Sequence, residues 1–332
     1  MKKRKTAALA AIVTLILLLL TACDNNAVTG EYFDVFGTTL YVETAQDGYA
    51  ESVAEDMRGA ELVLSATVEG SDIYNINAAH AGESVQVCAL TMRLLVKARQ
   101  IYLLTDGAYD PSVYPLVELW GFSADKFVVG ATPDSIPTDE EISAALALVG
   151  FDRVFVLDEE NLSVTKLIEG AKLDLGGIAK GYAVEQALSR VEKETLINLG
   201  GNIGGVGRDF TIGIGAPRPY SLTYVGTVTL HGGECISTSG DYERYYEFEG
   251  VRYHHVIDPH TGRPAASGLA CATVITTDGA LGDALATAIL VAGEAQGRIW
   301  LEELSAVCSE ISCVFVTPEL SVASYGRDFK AA

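Results

Sequence analysis

A turn from a strand to a helix is predicted in the stretch Asp174-Leu175-Gly176-Gly177-Ile178-Ala179-Lys180-Gly181-Tyr182-Ala183-Val184-Glu185. An alternating, strand-like run precedes it, two glycines make the turn, and apolar residues then repeat at helical spacing. Lys180 falls on the first turn of the predicted helix. Because glycines let a ligand approach the backbone and a helix start offers free N–H groups, the stretch suits a phosphate-bearing ligand. The alternative is an ordinary tight turn with a surface lysine.

The N terminus is typical of a bacterial lipoprotein signal. Lysines and an arginine precede an apolar run, 7–20, which is short for a membrane span and ends in Leu20-Thr21-Ala22-Cys23. We therefore predict a signal peptide over residues 1–22, a lipidated Cys23 and a polar tether over residues 23–31. An uncleaved N-terminal anchor is the alternative. Both interpretations predict a protein held at the bacterial cell membrane, on its extracytoplasmic face.

The composition is that of an acidic globular protein. The 332 residues include 44 Asp and Glu against 23 Lys and Arg, a formal net charge of −21, and cleavage of the basic signal would leave a more acidic chain. Such a chain is not expected to bind nucleic acid or to lie on anionic lipid. A hydrophobic content of 49% allows a substantial core. A bound divalent cation would agree with the charge.

Five cysteines follow Cys23, scattered without the spacing of a metal site, and no zinc site is predicted from them. We expect these cysteines to be small core residues. Cys308 and Cys313 are the only pair close enough in sequence to suggest a local disulfide.

Helical and strand-like segments alternate through the rest of the chain without a repeat or a linker. Helices are predicted over 49–65, 90–104, 178–191 and 279–290, and another is predicted to begin after its N-cap Thr138. Strands are predicted within 32–44 and over 154–157, 195–199, 210–214, 224–230 and 272–276. We predict an α+β fold, a single domain over 32–332 with two lobes, in which mixed or antiparallel sheets are flanked by helices.

A carboxylate and a hydroxyl share one face of the predicted helix 279–290. Asp278 would cap this helix, and Asp283 and Thr287 are four residues apart within it. Two hard oxygens amid small residues can bind Mg²⁺, whose other positions are filled by water, backbone carbonyls and phosphate. On spacing alone, a solvated or capping pair is the more common interpretation.

Three of the five histidines lie in Tyr253-His254-His255-Val256-Ile257-Asp258-Pro259-His260-Thr261-Gly262. The end of this segment is a turn, because proline presets one backbone angle and glycine permits another. A strand that delivers His255 into the turn would suit a general base, since histidine titrates near neutral pH. A hydrogen-bonded structural histidine is the alternative, and this local sequence alone leaves zinc open.

Three further turns are candidates for ligand contacts. The glycine-rich segment 198–205 follows a strand, but the chain has neither a G-x-G-x-x-G spacing nor a Walker lysine, which disfavours a Rossmann-type fold. The hydroxyl-rich segment 237–244 is predicted to be a turn that is either structural or lines a ligand. Tyr109, beside Asp110 after a long helix, could stack on a planar ring.

Taken in order, these segments resemble one family, the ApbE-type flavin transferases of bacterial envelopes. The resemblance extends from Phe36-Gly37-Thr38 through 174–182, 198–202, 237–240 and 255–262 to Thr287. It implies a T-fold-related α+β domain and an enzyme that uses Mg²⁺ to transfer FMN from FAD to a Thr or Ser hydroxyl of an acceptor protein, with release of AMP. Family members are frequently lipoproteins, which agrees with the prediction for Cys23.

The resemblance also implies roles for individual residues. The positions that hold FAD match Ala108, Tyr109, Asp110, Asp174, Lys180 and Ile257, together with Phe36, where the family commonly has Met. The metal positions match Gly177 and Ala286, through their backbone, and the side chains of Asp283 and Thr287. His255 matches the residue proposed to activate the acceptor hydroxyl.

The chain departs from the family pattern in its N-terminal part, where an aromatic residue is missing near Thr67 and Asp72 stands in place of the usual Glu. Two alternatives to a transferase remain at this point. A Mg²⁺-dependent FAD pyrophosphatase would use the same site with water as nucleophile and give FMN and AMP. The second alternative is a non-catalytic flavin-binding lipoprotein. The Asp283–Thr287 pair and His255 argue against this alternative.

Overall fold

An eight-stranded antiparallel sheet organises the computed structural model, which describes residues 28–218, 223–308 and 310–332. The predicted signal peptide, Cys23 and the first part of the predicted tether lie outside the described residues. The strands are β1 Thr29–Val35, β2 Thr38–Thr44, β3 Ser84–Gln86, β4 Phe155–Asp158, β5 Ser163–Lys166, β6 Thr195–Leu199, β7 Asn202–Val206, β8 Phe210–Gly215, β9 Tyr224–Leu230, β10 Cys235–Gly240, β11 Tyr245–Phe248, β12 Val251–His254, β13 Ile257–Asp258, β14 Arg263–Pro264, β15 Cys271–Thr276, β16 Ser312–Val316, β17 Val322–Tyr325 and β18 Lys330–Ala331. The helices are α1 Tyr49–Leu64, α2 Asp72–Ala78, α3 Ala89–Leu104, α4 Tyr114–Leu119, α5 Asp139–Leu146, α6 Phe151–Val154, α7 Ala179–Leu188, α8 Gly279–Ala292 and α9 Glu294–Ser305.

The central sheet has the strand order β1-β2-β6-β7-β10-β15-β16-β17. The hairpins β1–β2 and β6–β7 turn at the same end of the sheet, where the Gly200 N–H donates to the Thr39 carbonyl at 3.2 Å. β10 pairs with β7 only through Cys235 and Ile236, whereas it pairs with β15 along its whole length. Residues 237–240 therefore extend past the β6–β7 turn, and the sheet has a step at this end.

Helices and four smaller sheets accompany the central sheet, which confirms the predicted α+β fold. The smaller sheets are β18-β9-β8, β3-β5-β4, β11-β12 and β13-β14, and their strand pairs are also antiparallel. The largest hydrophobic cluster includes most of α8. Asp283 is buried in that otherwise apolar helix. None of the described helices combines the length and apolarity that a bilayer span requires.

Helices α7 and α8 touch backbone to backbone at Gly181 and Gly279. A Cβ on Gly181 would lie 2.0 Å from the Gly279 carbonyl oxygen, and one on Gly279 would lie 2.3 Å from the Gly181 carbonyl oxygen. The start of α8 is capped twice: Asp278 accepts a hydrogen bond from the Leu281 N–H at 2.9 Å, and Glu185 of α7 accepts one from the Gly279 N–H at 2.9 Å. The two helices are therefore fixed to each other by backbone contact and by a shared cap.

We expect Gly181→Ala to destabilise the protein by about 1–3 kcal/mol, because the added methyl group would overlap a carbonyl that cannot rotate away. Gly59→Ala is the matched control, since Gly59 lies in α1 with no atom within 4 Å of an added Cβ. Alanine at that position should stabilise the helix by about 0.5–1 kcal/mol. Urea unfolding measures both changes, and an unaltered free energy of unfolding in Gly181→Ala would contradict the contact.

The predicted elements are present, with shifted ends at several of them. Thr138 caps α5 in a capping box with Glu141, and Asp278 caps α8, as predicted. The predicted turn at 237–240 is wrong: these residues are the end of β10, because they pair with β15, and the turn follows at 241–244. β1 begins at Thr29, so the last residues of the predicted tether belong to a strand.

The suggested disulfide between Cys308 and Cys313 does not form, since every described cysteine is free. Cys313 lies inside β16 and is buried, whereas Cys308 follows α9 and is only half-buried. Cys235 and Cys271 are also core residues, as predicted, but Cys88 is exposed.

Candidate functional site

A cavity of about 570 Å³ opens at the stepped end of the central sheet. This volume lies within the ~300–1,000 Å³ range of small-molecule sites. The cavity is bounded by the β1–β2 turn, the segment after α3, the start of α7, the free end of β10, the segment around His255 and α8. Its lining residues are Phe36, Gly37, Thr38, Ala108, Tyr109, Asp110, Val113, Val117, Asp174, Gly176, Gly177, Ala179, Lys180, Gly200, Thr238, Ser239, Gly240, Glu243, Arg244, His255, Val256, Ile257, Pro259, Asp283 and Thr287.

The cavity brings together every sequence-predicted FAD, metal and catalytic residue except Ala286. Ala286 lies on α8 beside Thr287 and is fully buried. Its predicted role and those of the other residues stay predictions, while their common location is a feature of the structure. The predicted lipid site, Cys23, lies outside the described part of the chain.

Of the three departures from the family pattern, Phe36 lines this cavity, and Thr67 and Asp72 lie away from it. Thr67 is exposed in the segment after α1. The Asp72 carboxylate accepts hydrogen bonds from the Cys88 N–H at 2.8 Å and from the Thr91 hydroxyl at 2.6 Å, so it ties α2 to α3. Neither residue changes the wall of the cavity.

The turn before α7 holds its backbone and its lysine together. Asp174 Oδ1 accepts a hydrogen bond from the Gly176 N–H at 2.8 Å, and Lys180 Nζ donates to the Gly176 carbonyl at 2.8 Å. A Cβ on Gly177 would lie 3.5 Å from Thr287 Oγ1, so the turn approaches α8 closely. The predicted first-turn position of Lys180 is confirmed. Its ammonium group and the glycine backbone can together bind an anion.

Asp283 and Thr287 lie on one face of α8, as predicted, and both reach the cavity. Asp283 is only 4% exposed, and its Oδ2 accepts a hydrogen bond from the Gly181 N–H at 3.0 Å. Thr287 Oγ1 lies 2.9 Å from Ser239 Oγ and 3.3 Å from the Asp283 carbonyl oxygen. A carboxylate this deeply buried is rarely found without a partner for its charge.

The donor atoms around Asp283 fit a magnesium ion. The described ranges contain no group of three or more His, Cys, Asp or Glu side chains placed to hold a metal. They do place one carboxylate, the Thr287 hydroxyl and the Gly177 backbone at one wall. Mg²⁺ prefers oxygen ligands and keeps water and substrate phosphates in addition to one or two carboxylates. The wall therefore has the chemistry of a site completed by a phosphate-bearing ligand.

His255 and His254 face different surroundings. His255 lies just after β12, and its backbone N–H donates to the Arg244 carbonyl at 3.0 Å. The His255 ring lines the cavity. The His254 ring is buried outside the cavity wall and donates from Nε2 to the Ala265 carbonyl at 2.9 Å. Burial, together with the nearby His254, Arg244 and Lys180, lowers the pKa of His255 to about 3. The expectation of a titration near neutral pH is therefore wrong for the free protein: its ring is neutral there.

We expect the His255 imidazole to show no titration between about pH 5 and about pH 8, the range in which an ordinary histidine changes charge. A lowered pKa means that the ring takes up a proton only in more acidic solution. Ring C–H signals in NMR spectra measure this directly, with His255 assigned from the signal that His255→Gln lacks. Added N-acetylhistidine is the internal control, and its titration midpoint should lie at about pH 6.5. A His255 midpoint close to that of the control would contradict the structure.

Tyr109 adds an unpaired donor to the cavity wall. It is 4% exposed, and its hydroxyl is buried without a hydrogen-bond partner among the residues that the structure describes. Burial and the carboxylates of Asp283, Asp174 and Asp110 raise the pKa of Tyr109 well above its usual range, so the hydroxyl keeps its proton. A buried donor without a partner costs stability, which an anionic ligand would recover.

Asp110, by contrast, offers no free charge to the cavity. Its Oδ1 accepts hydrogen bonds from the Ser112 N–H at 2.7 Å and the Ser112 hydroxyl at 2.6 Å, and Oδ2 accepts one from the Phe151 N–H at 3.3 Å. Burial raises the pKa of Asp110, although these hydrogen bonds oppose the shift. The side chain therefore fixes the segment that carries Ala108 and Tyr109.

Sequence reasoning missed Val113 and Val117, which line the cavity. They lie at α4, where apolar residues normally indicate core, and no signal in the sequence distinguishes them. For the segment 237–244 the sequence left open whether it lines a ligand, and the structure places Thr238, Ser239 and Arg244 in the wall.

Comparison with known proteins shows the family of this chain. The chain matches the ApbE family over residues 36–310. It is 34% identical to the FAD:protein FMN transferase of Klebsiella pneumoniae (strain 342), an alignment that covers 84% of this chain and 85% of that protein. The crystal structure of the ApbE protein of Thermotoga maritima MSB8 superposes with a TM-score of 0.80 at 31% identity, covering 90% of this chain and 97% of that one.

One relative is much longer than the matched region. The FAD:protein FMN transferase of Rhodobacter capsulatus is 35% identical over 80% of this chain, and the chain spans about half of it, 51%. The similarity to that protein therefore concerns the flavin-transferase part that the two chains share.

Proposed function

This chain belongs to the ApbE family, and on that premise we propose that it transfers FMN from FAD to a Thr or Ser hydroxyl of an acceptor protein, with Mg²⁺ as cofactor and AMP as the second product. One observation carries the proposal: a single cavity gathers Lys180, His255 and the Asp283–Thr287 pair from separate parts of the chain. Phosphoryl-group transfer requires charge neutralisation and alignment, together with a base at the attacking hydroxyl.

The start of α7 and one face of α8 would bind the diphosphate of FAD. Lys180 and the backbone at Gly177 supply positive charge and N–H groups on one side. Asp283 and Thr287 would hold the magnesium ion on α8, together with the adjacent backbone of Gly177 and the backbone of Ala286. When bound, the ion would neutralise charge on the diphosphate oxygens. The helix contact at Gly181 keeps these two sides in register.

His255 would accept the proton of the incoming hydroxyl. As that oxygen forms its bond to the phosphorus of the FMN half, the phosphorus–oxygen bond to AMP breaks and AMP leaves with the electron pair. Burial is the main cause of the lowered pKa of His255 in the free protein, and the charges of Arg244 and Lys180 add to it. A bound diphosphate would offset their charge and strengthen the base, because an anion near a histidine favours its protonated form. Base strength would thus depend on the presence of FAD.

Covalent flavin on an acceptor tests the proposal. Envelope proteins of a bacterium that lacks this enzyme's activity would be incubated with the purified protein, FAD and Mg²⁺, and separated on a denaturing gel. We expect a flavin-fluorescent band that requires all three additions, and mass spectrometry should locate FMN on a Thr or Ser. Free FMN and AMP without a labelled band would instead identify a pyrophosphatase, and unchanged FAD would identify a binding protein.

We further propose that Cys23 carries a lipid that holds the protein on the extracytoplasmic face of the cell membrane, since the preceding segment is typical of a lipoprotein signal. Cys23→Ala should move the protein from the membrane to the soluble fraction and abolish incorporation of labelled palmitate. Cys88→Ala, which removes an exposed cysteine of the folded body, is the matched control and should keep the label. Unchanged fractionation and labelling of Cys23→Ala would overturn the assignment.

A further inference from the structure

We propose that Ser239 is a positioning residue that directs the Thr287 hydroxyl toward the magnesium ion. The inference rests on the proposed function, because it takes Thr287 as a metal ligand. Ser239 Oγ lies 2.9 Å from Thr287 Oγ1, and both residues line the cavity. The two residues are 48 positions apart, on β10 and α8, so the contact is a product of the fold.

The strand and the helix meet at two successive points. Ser237 and Ser239 share the face of β10 that is turned to α8, because alternate residues of a strand share a face. A Cβ on Gly282 would lie 3.4 Å from Ser237 Oγ, which marks the first point. Two residues along a strand advance about 6.6 Å, and five along a helix advance about 7.5 Å. The rise along the helix axis from Gly282 to Thr287 is therefore close to the rise along the strand from Ser237 to Ser239.

The location of one proton gives Ser239 its role. A hydroxyl binds a cation through an oxygen lone pair, so its own proton has to be donated elsewhere. Within the described residues, Thr287 Oγ1 has two oxygen partners: the Asp283 carbonyl at 3.3 Å and Ser239 Oγ at 2.9 Å. The shorter distance makes Ser239 the better acceptor. With its proton donated to Ser239, Thr287 keeps its lone pairs for the ion, and Ser239 donates its own proton to water.

Metal binding in the presence of FAD and without an acceptor tests this role independently of turnover. Mn²⁺ is the probe, and its free concentration is measured by electron paramagnetic resonance. Ser239→Ala should weaken Mn²⁺ binding by about 10-fold or more, the usual cost of losing a group that orients a ligand. Ser239→Thr keeps the Oγ and should bind Mn²⁺ like the parent protein. FAD binding without metal should be the same in all three.

Thr273→Val is the matched control. It removes another hydroxyl–hydroxyl contact made by β10, from Thr238 to Thr273 of β15 at 2.8 Å, and Thr273 does not line the cavity. This variant should bind Mn²⁺ like the parent. If Ser239→Ala fails to fold, Ser239→Cys, whose thiol is a weak acceptor, should show the same weakening.

Three results would overturn the role of Ser239. Parent-like Mn²⁺ affinity in Ser239→Ala would show that Thr287 needs no orienting partner. An equal loss of Mn²⁺ affinity in Thr273→Val would show that the loss in Ser239→Ala comes from general destabilisation of the strands and not from Thr287. Failure of the parent protein itself to bind Mn²⁺ would refute the proposed magnesium site as well. The first two results would refute the role of Ser239 and leave the magnesium site standing.

Discussion

Replacement of His255 by alanine is expected to lower FMN transfer by about two to four orders of magnitude, the usual contribution of a positioned general base. FAD binding should stay close to that of the parent, because Lys180, Asp283 and the glycine turn remain in place. The rate of covalent flavin incorporation at saturating FAD measures the first effect. Quenching of flavin fluorescence measures the second.

His260→Ala is the matched control for this prediction. The His260 side chain is exposed, lies outside the cavity lining and contacts the Asp106 carbonyl from Nε2 at 2.9 Å. Its loss should leave transfer near the parent rate. His254 is less suitable, because its ring is buried and hydrogen-bonded to Ala265, so its replacement also tests the fold. Full transfer by His255→Ala, or loss of transfer in His260→Ala alone, would refute the assignment of the base.

Removal of the Asp283 charge should reduce transfer to the level measured without magnesium. A catalytic metal ion contributes several kcal/mol, and about 1.4 kcal/mol corresponds to a tenfold change in rate. From these two figures we expect the rate of FMN transfer to fall by at least about a hundredfold. Asp283→Asn is preferred over alanine because its amide oxygen can still accept the hydrogen bond from the Gly181 N–H. Calorimetry should show that Mg²⁺ no longer strengthens FAD binding in this variant.

Two comparisons sharpen the Asp283 experiment. Thr287→Val should have a smaller effect, since a neutral ligand contributes less Coulomb energy than a carboxylate. Asp278→Asn removes a different carboxylate from the start of α8, one that pairs with Lys97 and does not line the cavity. It should keep Mg²⁺-dependent transfer. Undiminished Mg²⁺-dependent FAD binding in Asp283→Asn would rule out this carboxylate as the metal ligand.

Local patterns in the sequence predict the elements and the chemical groups of this protein well. The capping residues Thr138 and Asp278 are read directly from their neighbours, because a cap involves residues a few positions apart. The pairing of Asp283 with Thr287 follows from helical spacing for the same reason. Such patterns do not reveal which segments become neighbours in space.

Contacts over long sequence separation account for what the sequence does not predict. Segment 237–240 is rich in small polar residues and resembles a turn, but pairing with β15 makes it a strand. Val113 and Val117 have an ordinary core pattern, and only the packing of α4 exposes them to the cavity. The lowered pKa of His255 depends on burial and on Arg244 and Lys180, which reach it from other elements. These are tertiary effects that override local preference.

The glycine contact between α7 and α8 holds two walls of the cavity in a fixed position relative to each other. The backbone carbonyls of Gly181 and Gly279 each lie against the other glycine, with no side chain between them. A shift of one helix would therefore displace the other. The glycine contact therefore fixes the spacing between the wall that carries Lys180 and the wall that carries Asp283, as the proposed binding of one diphosphate between them would require. The hairpin turn at Phe36-Gly37-Thr38 also lines the cavity, but it belongs to neither helix, so the glycine contact does not fix its position.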